Sequence, residues 1–309
     1  MSDKPNNLRH IASVSNTLGE GIMWHGPTNE IFWLDAGPVC KLFAMEISSG
    51  SIRTRTMEAN LYCLRNSDDG TLVALSKFGV VWINPANMTV IDSHQILDKN
   101  TNYRFNDANC DASGRIWTGT MKDNFQVING ELQKVDSTGQ LYRIDKNRNS
   151  TIVDHDYGCP NTFAWSPDDK TMYCADSISG WIYAYHFNAE KGKISRRRQL
   201  YKNMNFGTPD GSAIDSEGCL WNARWGGSAV LRITPAGFVD RVIKLPVSRV
   251  TDCTFGGDDL RTLFITTAKQ GISPSELDLE PLAGDVFAIS VGVAGVDKGV
   301  ASFTEKLSL

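Results

Sequence analysis

The chain has 309 residues, of which 41% are hydrophobic and 21% are charged, and its formal net charge is −4. This is the composition of an ordinary globular protein, and its mild acidity argues against nucleic acid or an anionic membrane surface as a partner. No apolar run reaches the roughly 18 residues that a membrane-spanning helix needs, and the first ten residues lack the apolar core of a signal peptide. We therefore expect a cytoplasmic protein; the sequence leaves its oligomeric state open.

The first predicted element contains a glutamate between two glycines, in the stretch N-T-L-G-E-G-I-M-W (16–24). A carboxylate is rarely left unpaired inside a protein, because removing it from water costs several kcal/mol or more. The flanking glycines have no side chains, so they let backbone or a ligand approach closely. The sequence therefore predicts a binding partner for Glu20.

Short strand signals then follow one another to the end of the chain. Each run is rich in β-branched and aromatic residues, follows a polar turn such as D-A-S-G or D-S-E-G, and is in most cases followed by a second strand. The six runs are 31–35, 71–75, 115–119, 171–175, 219–223 and 262–266. Helical character is limited to a possible short turn over 273–282.

These signals form six copies of one pattern, which can be marked by the residue just before each turn. The markers are 41 to 55 residues apart and are Trp24, Asn66, Cys110, Trp165, Ile214 and Phe255. A repeat of this period is typical of a β-propeller with one four-stranded blade per repeat. We predict an all-β, six-bladed β-propeller of antiparallel blades that forms one domain over 1–309. The segment 8–15 is expected to supply the outer strand of the last blade.

Four residues before each marker, the repeat defines a ring of positions around the propeller axis, because the innermost strands line the central channel. The ring comprises Glu20, Tyr62, Asn106, Asn161, Asp210 and Thr251. A divalent cation on the axis would give Glu20 its partner, with Asp210 as the second carboxylate and Asn161 supplying an amide oxygen. Such oxygen ligands favour Ca²⁺, Mg²⁺ or Mn²⁺, although Zn²⁺ also accepts carboxylates. The structural alternative is that these side chains pair with backbone amides or a buried arginine.

The cysteines and histidines point to no other metal site. The seven cysteines are all more than four residues apart, and the five histidines are scattered without an H-x-H or H-E-x-x-H motif. We expect reduced, structural thiols and no histidine-based zinc site. A G-x-S-x-G motif is also absent from the sequence, which argues against a serine esterase.

Five motifs in order give the chain a specific resemblance over nearly its whole length. They are L-G-E-G-I-M-W (18–24), R-F-N-D-A-N-C-D-A-S-G-R-I-W-T-G-T-M (104–121), P-N-T-F-A-W-S-P-D (160–168), P-D-G-S-A-I-D-S-E-G (209–218) and V-T-D-C-T-F-G-G-D-D-L (250–260). With these motifs the sequence resembles the gluconolactonase, regucalcin and luciferin-regenerating enzyme family of six-bladed propellers. The resemblance implies that Glu20, Asn161 and Asp210 are metal ligands and that Arg104 and Asn106 contact the substrate. Arg104 bracing a turn and Asn106 capping a loop are the structural alternatives.

The chain departs from the family pattern at a few positions. Ile22 stands where the family has proline, Thr162 where it has glycine, and Ala108-Asn109 where it has Gly-Lys. Thr162 and Asn109 lie beside proposed site residues in the sequence. We therefore expect these two residues to alter substrate preference.

The function that the resemblance implies is the metal-dependent hydrolysis of a sugar (aldono-) lactone to the aldonic acid. The ion would polarise the carbonyl, while either Asp210 as general base or the ion itself would activate the water. Arg104 and Asn106 would hold substrate hydroxyls. Another metal-dependent esterase or organophosphatase on the same propeller, or a regucalcin-like calcium-binding protein, remains an alternative. A non-catalytic binding propeller predicts unremarkable residues at the axis, which this sequence does not have. The particular lactone and ion stay open.

Overall fold

Four-stranded antiparallel sheets repeat six times along the chain in the computed structural model, which describes residues 7–123, 127–128, 131–132, 138–296 and 299–305. From the innermost strand outward, blade one consists of β2 (Gly19–His25), β3 (Glu30–Asp35), β4 (Lys41–Glu46) and β5 (Ile52–Thr56). Blade two consists of β6 (Leu61–Asn66), β7 (Leu72–Ser76), β8 (Gly79–Ile83) and β9 (Val90–Gln95). Blade three consists of β10 (Tyr103–Cys110), β11 (Ile116–Lys122), β14 (Gly139–Ile144) and β15 (Ser150–Tyr157). A hairpin of β12 (Val127–Ile128) and β13 (Glu131–Leu132) is inserted in blade three.

Blades four to six continue the same order. Blade four consists of β16 (Pro160–Trp165), β17 (Thr171–Asp176), β18 (Trp181–Asn188) and β19 (Lys193–Tyr201). Blade five consists of β20 (Thr208–Ile214), β21 (Leu220–Trp225), β22 (Ala229–Ile233) and β23 (Val239–Lys244). Blade six consists of β24 (Val250–Gly256), β25 (Thr262–Thr267), β26 (Val286–Ser290) and β1 (Arg9–Ala12). The innermost strands contact one another in a closed circle, β2–β6–β10–β16–β20–β24 and back to β2. The predicted six-bladed propeller is confirmed.

Helical structure is confined to short segments. The described residues contain one α-helix, α1 (Pro274–Leu277), within the stretch where a short turn was predicted, and 3-10 segments at Gly26–Thr28 and Met204–Phe206. Within the described part of the chain, no helix has both the length and the apolar character needed to cross a membrane.

The first strand closes the propeller, as the sequence predicts. β1 pairs antiparallel with β26, so the last blade takes its outermost strand from the beginning of the chain. Asp285 fixes this junction, because its carboxylate accepts hydrogen bonds from the backbone amides of Val14 (2.9 Å) and Ser15 (2.8 Å) and contacts His10 Nε2 at 2.8 Å. The circle is therefore held by both sheet pairing and a buried carboxylate.

The apolar core lies between neighbouring blades, where alternate residues of adjacent sheets face each other. Large aromatic side chains fill much of it, and four of the eight tryptophans are at most 1% exposed: Trp33, Trp82, Trp117 and Trp221. All seven cysteines are free and buried, which confirms their expected role as reduced, structural residues.

Every innermost strand carries an irregularity in its pairing at the predicted ring. The register with the second strand shifts just after Glu20 and Asn161, and across Tyr62, Asn106, Asp210 and Thr251. A β-bulge releases a residue from the ladder and redirects its side chain. The repeated bulge thus frees the ring side chains from the ordinary alternation of a flat strand.

Candidate functional site

The five residues that the sequence singles out lie together at one cavity of about 70 Å³ at the propeller axis. Its lining includes Glu20, Arg104, Asn106, Asn161 and Asp210. These side chains come from blades one, three, four and five, so their meeting depends on the closed circle of innermost strands. Met121, Cys159, Ser177 and Trp225 also face this cavity.

Arg104 and Asn106 form one connected unit on the blade-three side. Arg104 Nη1 donates to Asn106 Oδ1 (2.8 Å) and to the Phe105 carbonyl (2.9 Å), and its guanidinium lies 4.2 Å from the centre of the Tyr62 ring. Arg104 Nε is 3.8 Å from Asp123 Oδ1. Stacking and hydrogen bonding therefore hold the guanidinium in a defined direction. Its Nη2 group makes no hydrogen bond to the described part of the chain.

Asn161 is held from two sides. Its Oδ1 accepts a hydrogen bond of 2.9 Å from Asn106 Nδ2, and its own Nδ2 donates to Ser177 Oγ at 2.8 Å. Ser177 in turn donates to the Pro209 carbonyl at 2.6 Å. The amide oxygen of Asn161 is thereby directed to the side of Asn106 and the cavity.

The remaining ring residues have structural partners. Thr251 is fully buried and donates to the Gly19 carbonyl (2.6 Å), next to Glu20, while Tyr62 supports Arg104. In the ring, three residues offer oxygen atoms suited to a cation: Glu20, Asn161 and Asp210. Asn106 forms a hydrogen bond with Arg104, and Tyr62 and Thr251 support these residues.

A second group of charged residues lies next to the ring and was missed from the sequence. Asp107 accepts hydrogen bonds from the Ala108 amide (2.7 Å) and the Thr162 amide (2.9 Å), and its Oδ1 is 3.5 Å from Arg65 Nη2. Asp252 accepts from the Cys253 amide at 2.8 Å. Both aspartates directly follow a ring position, so the signal was present: the same repeat, read one residue later, contains them.

These carboxylates repel one another in the protein interior. Burial, followed by the charges of Asp210, Asp252 and Asp107, raises the pKa of Glu20 well above its usual value. Burial and then Asp252 and Asp107 likewise raise the pKa of Asp210. For Asp252, burial and Asp107 raise the pKa to about 8. Deprotonation is costly for each of them because the local positive charge, chiefly Arg65, does not balance four carboxylates.

A divalent cation fits this environment. Glu20 and Asp210 would supply two negative charges and Asn161 an amide oxygen, a set that suits hard ions. The fit rests on an observation independent of any motif, namely that the buried carboxylates outnumber the cations that contact them.

Thr162 and Asn109 are not among the residues that line the cavity of Arg104 and Asn106, and their expected effect on substrate preference stays a prediction. Thr162 is completely buried, and its hydroxyl donates to the backbone carbonyl of Asp210. Asn109 donates to the Phe163 carbonyl (2.8 Å), accepts from Arg65 Nε (3.0 Å) and faces a separate cavity. Both side chains brace the innermost strands, because each donates to a backbone carbonyl of a neighbouring innermost strand.

The fold and the cavity together define a class of protein: a six-bladed β-propeller with carboxylate and amide oxygens at its axis, facing a cavity that contains an arginine. Residues 18–269 match the model of the SMP-30/gluconolactonase/LRE-like region, and the chain belongs to this family. At the level of the family, the prediction of a gluconolactonase-like enzyme is confirmed.

Several named proteins are similar over nearly the whole chain. The chain is 32% identical to 6-deoxy-6-sulfogluconolactonase from Pseudomonas putida, with 93% of this chain and 96% of the relative covered. It is also 32% identical to regucalcin from Gallus gallus, covering 93% of this chain and 95% of the relative. Among solved structures, the calcium-binding protein regucalcin from Agrobacterium tumefaciens superposes with a TM-score of 0.87 at 23% identity, covering 96% and 98% of the two chains, and this shows the shared fold.

Proposed function

We propose that this protein hydrolyses a sugar lactone to the aldonic acid and depends on one divalent ion held by Glu20, Asn161 and Asp210. The observation that carries the proposal is that these three residues face the same cavity as Arg104 and Asn106. The lactonase named among the relatives supports this choice of reaction. Ca²⁺, Mg²⁺, Mn²⁺ and Zn²⁺ are all candidates for the ion.

When bound, such an ion would act as a Lewis acid toward the lactone carbonyl. The protein's own residues would bind and orient the substrate. Arg104 would donate from its Nη2 group to hydroxyl oxygens of the sugar, since its Nη1 group is already used within the protein. Because stacking on Tyr62 fixes the guanidinium, little freedom is lost when substrate binds, and the lactone carbonyl can be presented in one orientation.

Asp210 is our candidate for the residue that accepts the proton of the attacking water. Its carboxylate lies at the cavity, where one oxygen could hold the ion while the other faces the water. In the balanced reaction the water oxygen bonds to the carbonyl carbon, the ring C–O bond breaks, and the ring oxygen takes up a proton as it becomes a hydroxyl group.

A second candidate function is calcium binding without a dedicated catabolic reaction. The oxygen-only ligand set suits Ca²⁺, and regucalcin is among the relatives. The cavity of Arg104 and Asn106 favours the lactonase, because calcium binding alone has no use for a directed guanidinium group beside the ligands.

One experiment separates the two functions. The protein is stripped with a chelator, resupplied with one divalent ion at a time, and assayed in a pH-stat against pentono- and hexonolactones. We expect no hydrolysis above the spontaneous rate in the stripped protein, recovery with at least one ion, and an unchanged far-ultraviolet β-sheet spectrum throughout. Full activity in the stripped protein would contradict the metal role. Tight Ca²⁺ binding with no hydrolysis of any lactone would favour the second function.

A further inference from the structure

We infer that Ser177 is a positioning residue that, together with Asn106, fixes which atom of the Asn161 amide faces the propeller axis. This inference rests on the proposed metal site, but it concerns a residue outside the innermost strands. Ser177 follows β17, is 4% exposed, and contacts both Asn161 and the backbone of blade five. Neither the repeat nor the motifs of the sequence point to it.

The direction of each hydrogen bond around Ser177 follows from its partners. A carbonyl oxygen can only accept, so the contact of 2.6 Å to the Pro209 carbonyl uses the single hydroxyl proton of Ser177. Toward Asn161, at 2.8 Å, Ser177 can then only accept. The atom of Asn161 that faces Ser177 must therefore be the amide nitrogen, and the amide oxygen must face the other way.

The hydrogen bonds on the other side of Asn161 give the same assignment. A guanidinium can only donate, so Asn106 turns its oxygen to Arg104 and its nitrogen to Asn161. If the Asn161 amide were flipped, two NH₂ groups would face each other across 2.9 Å. A directional series of hydrogen bonds thus runs from Arg104 through Asn106, Asn161 and Ser177 to the Pro209 carbonyl.

This series leaves one lone pair of Asn161 Oδ1 for a cation, since Asn106 occupies the other. The series also ends at Pro209, one residue before Asp210. The Ser177 hydroxyl that orients Asn161 is therefore bonded to β20, the strand that carries the second proposed ligand, Asp210.

A parallel series holds the next carbonyl of that strand. The completely buried Arg224 donates to Asn222 Oδ1 at 2.8 Å, and Asn222 Nδ2 donates to the Asp210 carbonyl at 3.1 Å. Thr162 donates to the same carbonyl from blade four. The carbonyls of Pro209 and Asp210 are therefore both held in place. Ser177 is the residue that connects this backbone to Asn161, the other proposed ligand.

The test compares two serine-to-alanine variants. Ser177→Ala removes the acceptor for Asn161, whereas Ser67→Ala removes another buried hydroxyl, which donates to the Ala301 carbonyl away from the cavity. We measure the dissociation constants of Ca²⁺ and Mn²⁺ by titration calorimetry on stripped protein, together with thermal stability. Loss of a residue that orients a metal ligand typically weakens metal binding about 10- to 100-fold, and we expect this for Ser177→Ala. The Ser67→Ala variant should bind both ions as the parent does.

A double-mutant cycle with Asn161→Ala completes the test. If Ser177 acts through the Asn161 amide, adding Ser177→Ala to Asn161→Ala should change the metal dissociation constant less than threefold. Ser177→Thr, which keeps the hydroxyl, should bind within a few-fold of the parent. Parental metal affinity in Ser177→Ala, or additive losses in the cycle, would overturn the inference even if lactone hydrolysis is observed. If the parent binds an ion but opens no lactone, the proposed reaction fails while these affinities still decide the role of Ser177.

Discussion

Asn161 and Asp210 owe their positions to hydroxyl groups that a search for ligands would not select. Ser177 and Thr162 donate to two consecutive carbonyls of blade five, those of Pro209 and Asp210. The backbone that carries Asp210 is therefore bonded to blade four, which carries Asn161. Thr162 does this at φ 58°, in the left-handed region that β-branched residues rarely adopt. Its amide is held there by Asp107 Oδ2 at 2.9 Å. Local backbone strain is thus retained at Thr162, the residue that joins the two strands carrying the proposed ligands.

Replacing Asp210 by asparagine separates its chemical role from its structural role. Asp210→Asn keeps the size of the side chain but removes a charge and the proton acceptor, so the lactonase rate should fall roughly 10²- to 10⁴-fold. Stability of the metal-stripped protein should stay level or rise, because one of several mutually repelling carboxylates is gone. Both are measured against Asp258→Asn, the same change in an exposed turn. A variant that melts well below the stripped parent yet keeps most of its activity would contradict the assignment.

The role of Arg104 is tested by substrates that differ in their hydroxyl groups. Arg104→Ala should lower kcat/KM for polyhydroxylated lactones by about 10- to 100-fold more than for unsubstituted γ-butyrolactone, which offers the guanidinium nothing to bind. The alanine variant also releases Asn106, whose oxygen accepts from Arg104. Equal losses on the two substrates would therefore place Arg104 in the support of Asn106 rather than in substrate binding.

At the scale of single elements, the spacing of the repeats was sufficient to find the ring but not its support. Innermost strands begin at a constant distance from their turns, so counting back from each turn located Glu20, Asn161 and Asp210. Ser177 follows the second strand of a blade, and Arg224 lies on another second strand. Their approach to the ring depends on how neighbouring blades pack, which one strand's sequence does not encode. Thr162 and Asn109 are near proposed site residues in the sequence, but one strand's sequence does not encode that their side chains donate to the carbonyls of Asp210 and Phe163.

Another repeated element is the turn D-x-x-G-x-x-W, which occurs at 111–117 and 215–221. In the second copy Asp215 accepts from the amides of Glu217 (3.0 Å) and Cys219 (2.9 Å), and its other oxygen accepts from Trp221 Nε1 and Arg232 Nε, both at 2.8 Å. The same pattern joins Asp111 to Trp117 at 2.8 Å. One carboxylate thus closes the turn and fixes the large side chain that fills the space between blades.

Removing that carboxylate should destabilise the fold without altering the site. Asp215→Ala leaves the buried Trp221 indole without its acceptor, whereas Arg232 keeps its contacts to Glu217 and Asp240. Leaving a buried donor unsatisfied costs about 1–3 kcal/mol. The free energy of unfolding from urea titration should drop by that amount, whereas Asp258→Ala in the exposed turn should change it little. Metal affinity below the melting temperature should remain that of the parent. A loss below about 1 kcal/mol would show that the turn does not depend on this carboxylate.

At the scale of the whole molecule, closure of the circle concentrates negative charge on the axis. Six innermost strands bring Glu20, Asp107, Asp210 and Asp252 into one channel, where Arg65 is 3.5 Å from Asp107. The blades are held together by apolar contacts between sheets and by β1, so the metal-stripped propeller can fold despite this repulsion. The same arrangement that would favour the proposed cation therefore makes the stripped protein sensitive to pH.

Asp252 provides the test of this charge imbalance. Burial and the charge of Asp107 raise its pKa in the folded protein to about 8, above the value near 4 expected in the unfolded chain. Between these values the folded state binds the extra proton, so the contribution of Asp252 to stability is present at low pH and is lost as pH rises toward 8. In the stripped protein, Asp252→Asn should reduce the decline of unfolding free energy between pH 5 and pH 8, by up to about 1.4 kcal/mol per pH unit. The asparagine can still accept from the Cys253 amide, so the strand should keep its geometry. Urea titrations at pH 5, 6.5 and 8 measure the slope, and equal slopes for parent and variant would show that Asp252 does not carry this repulsion.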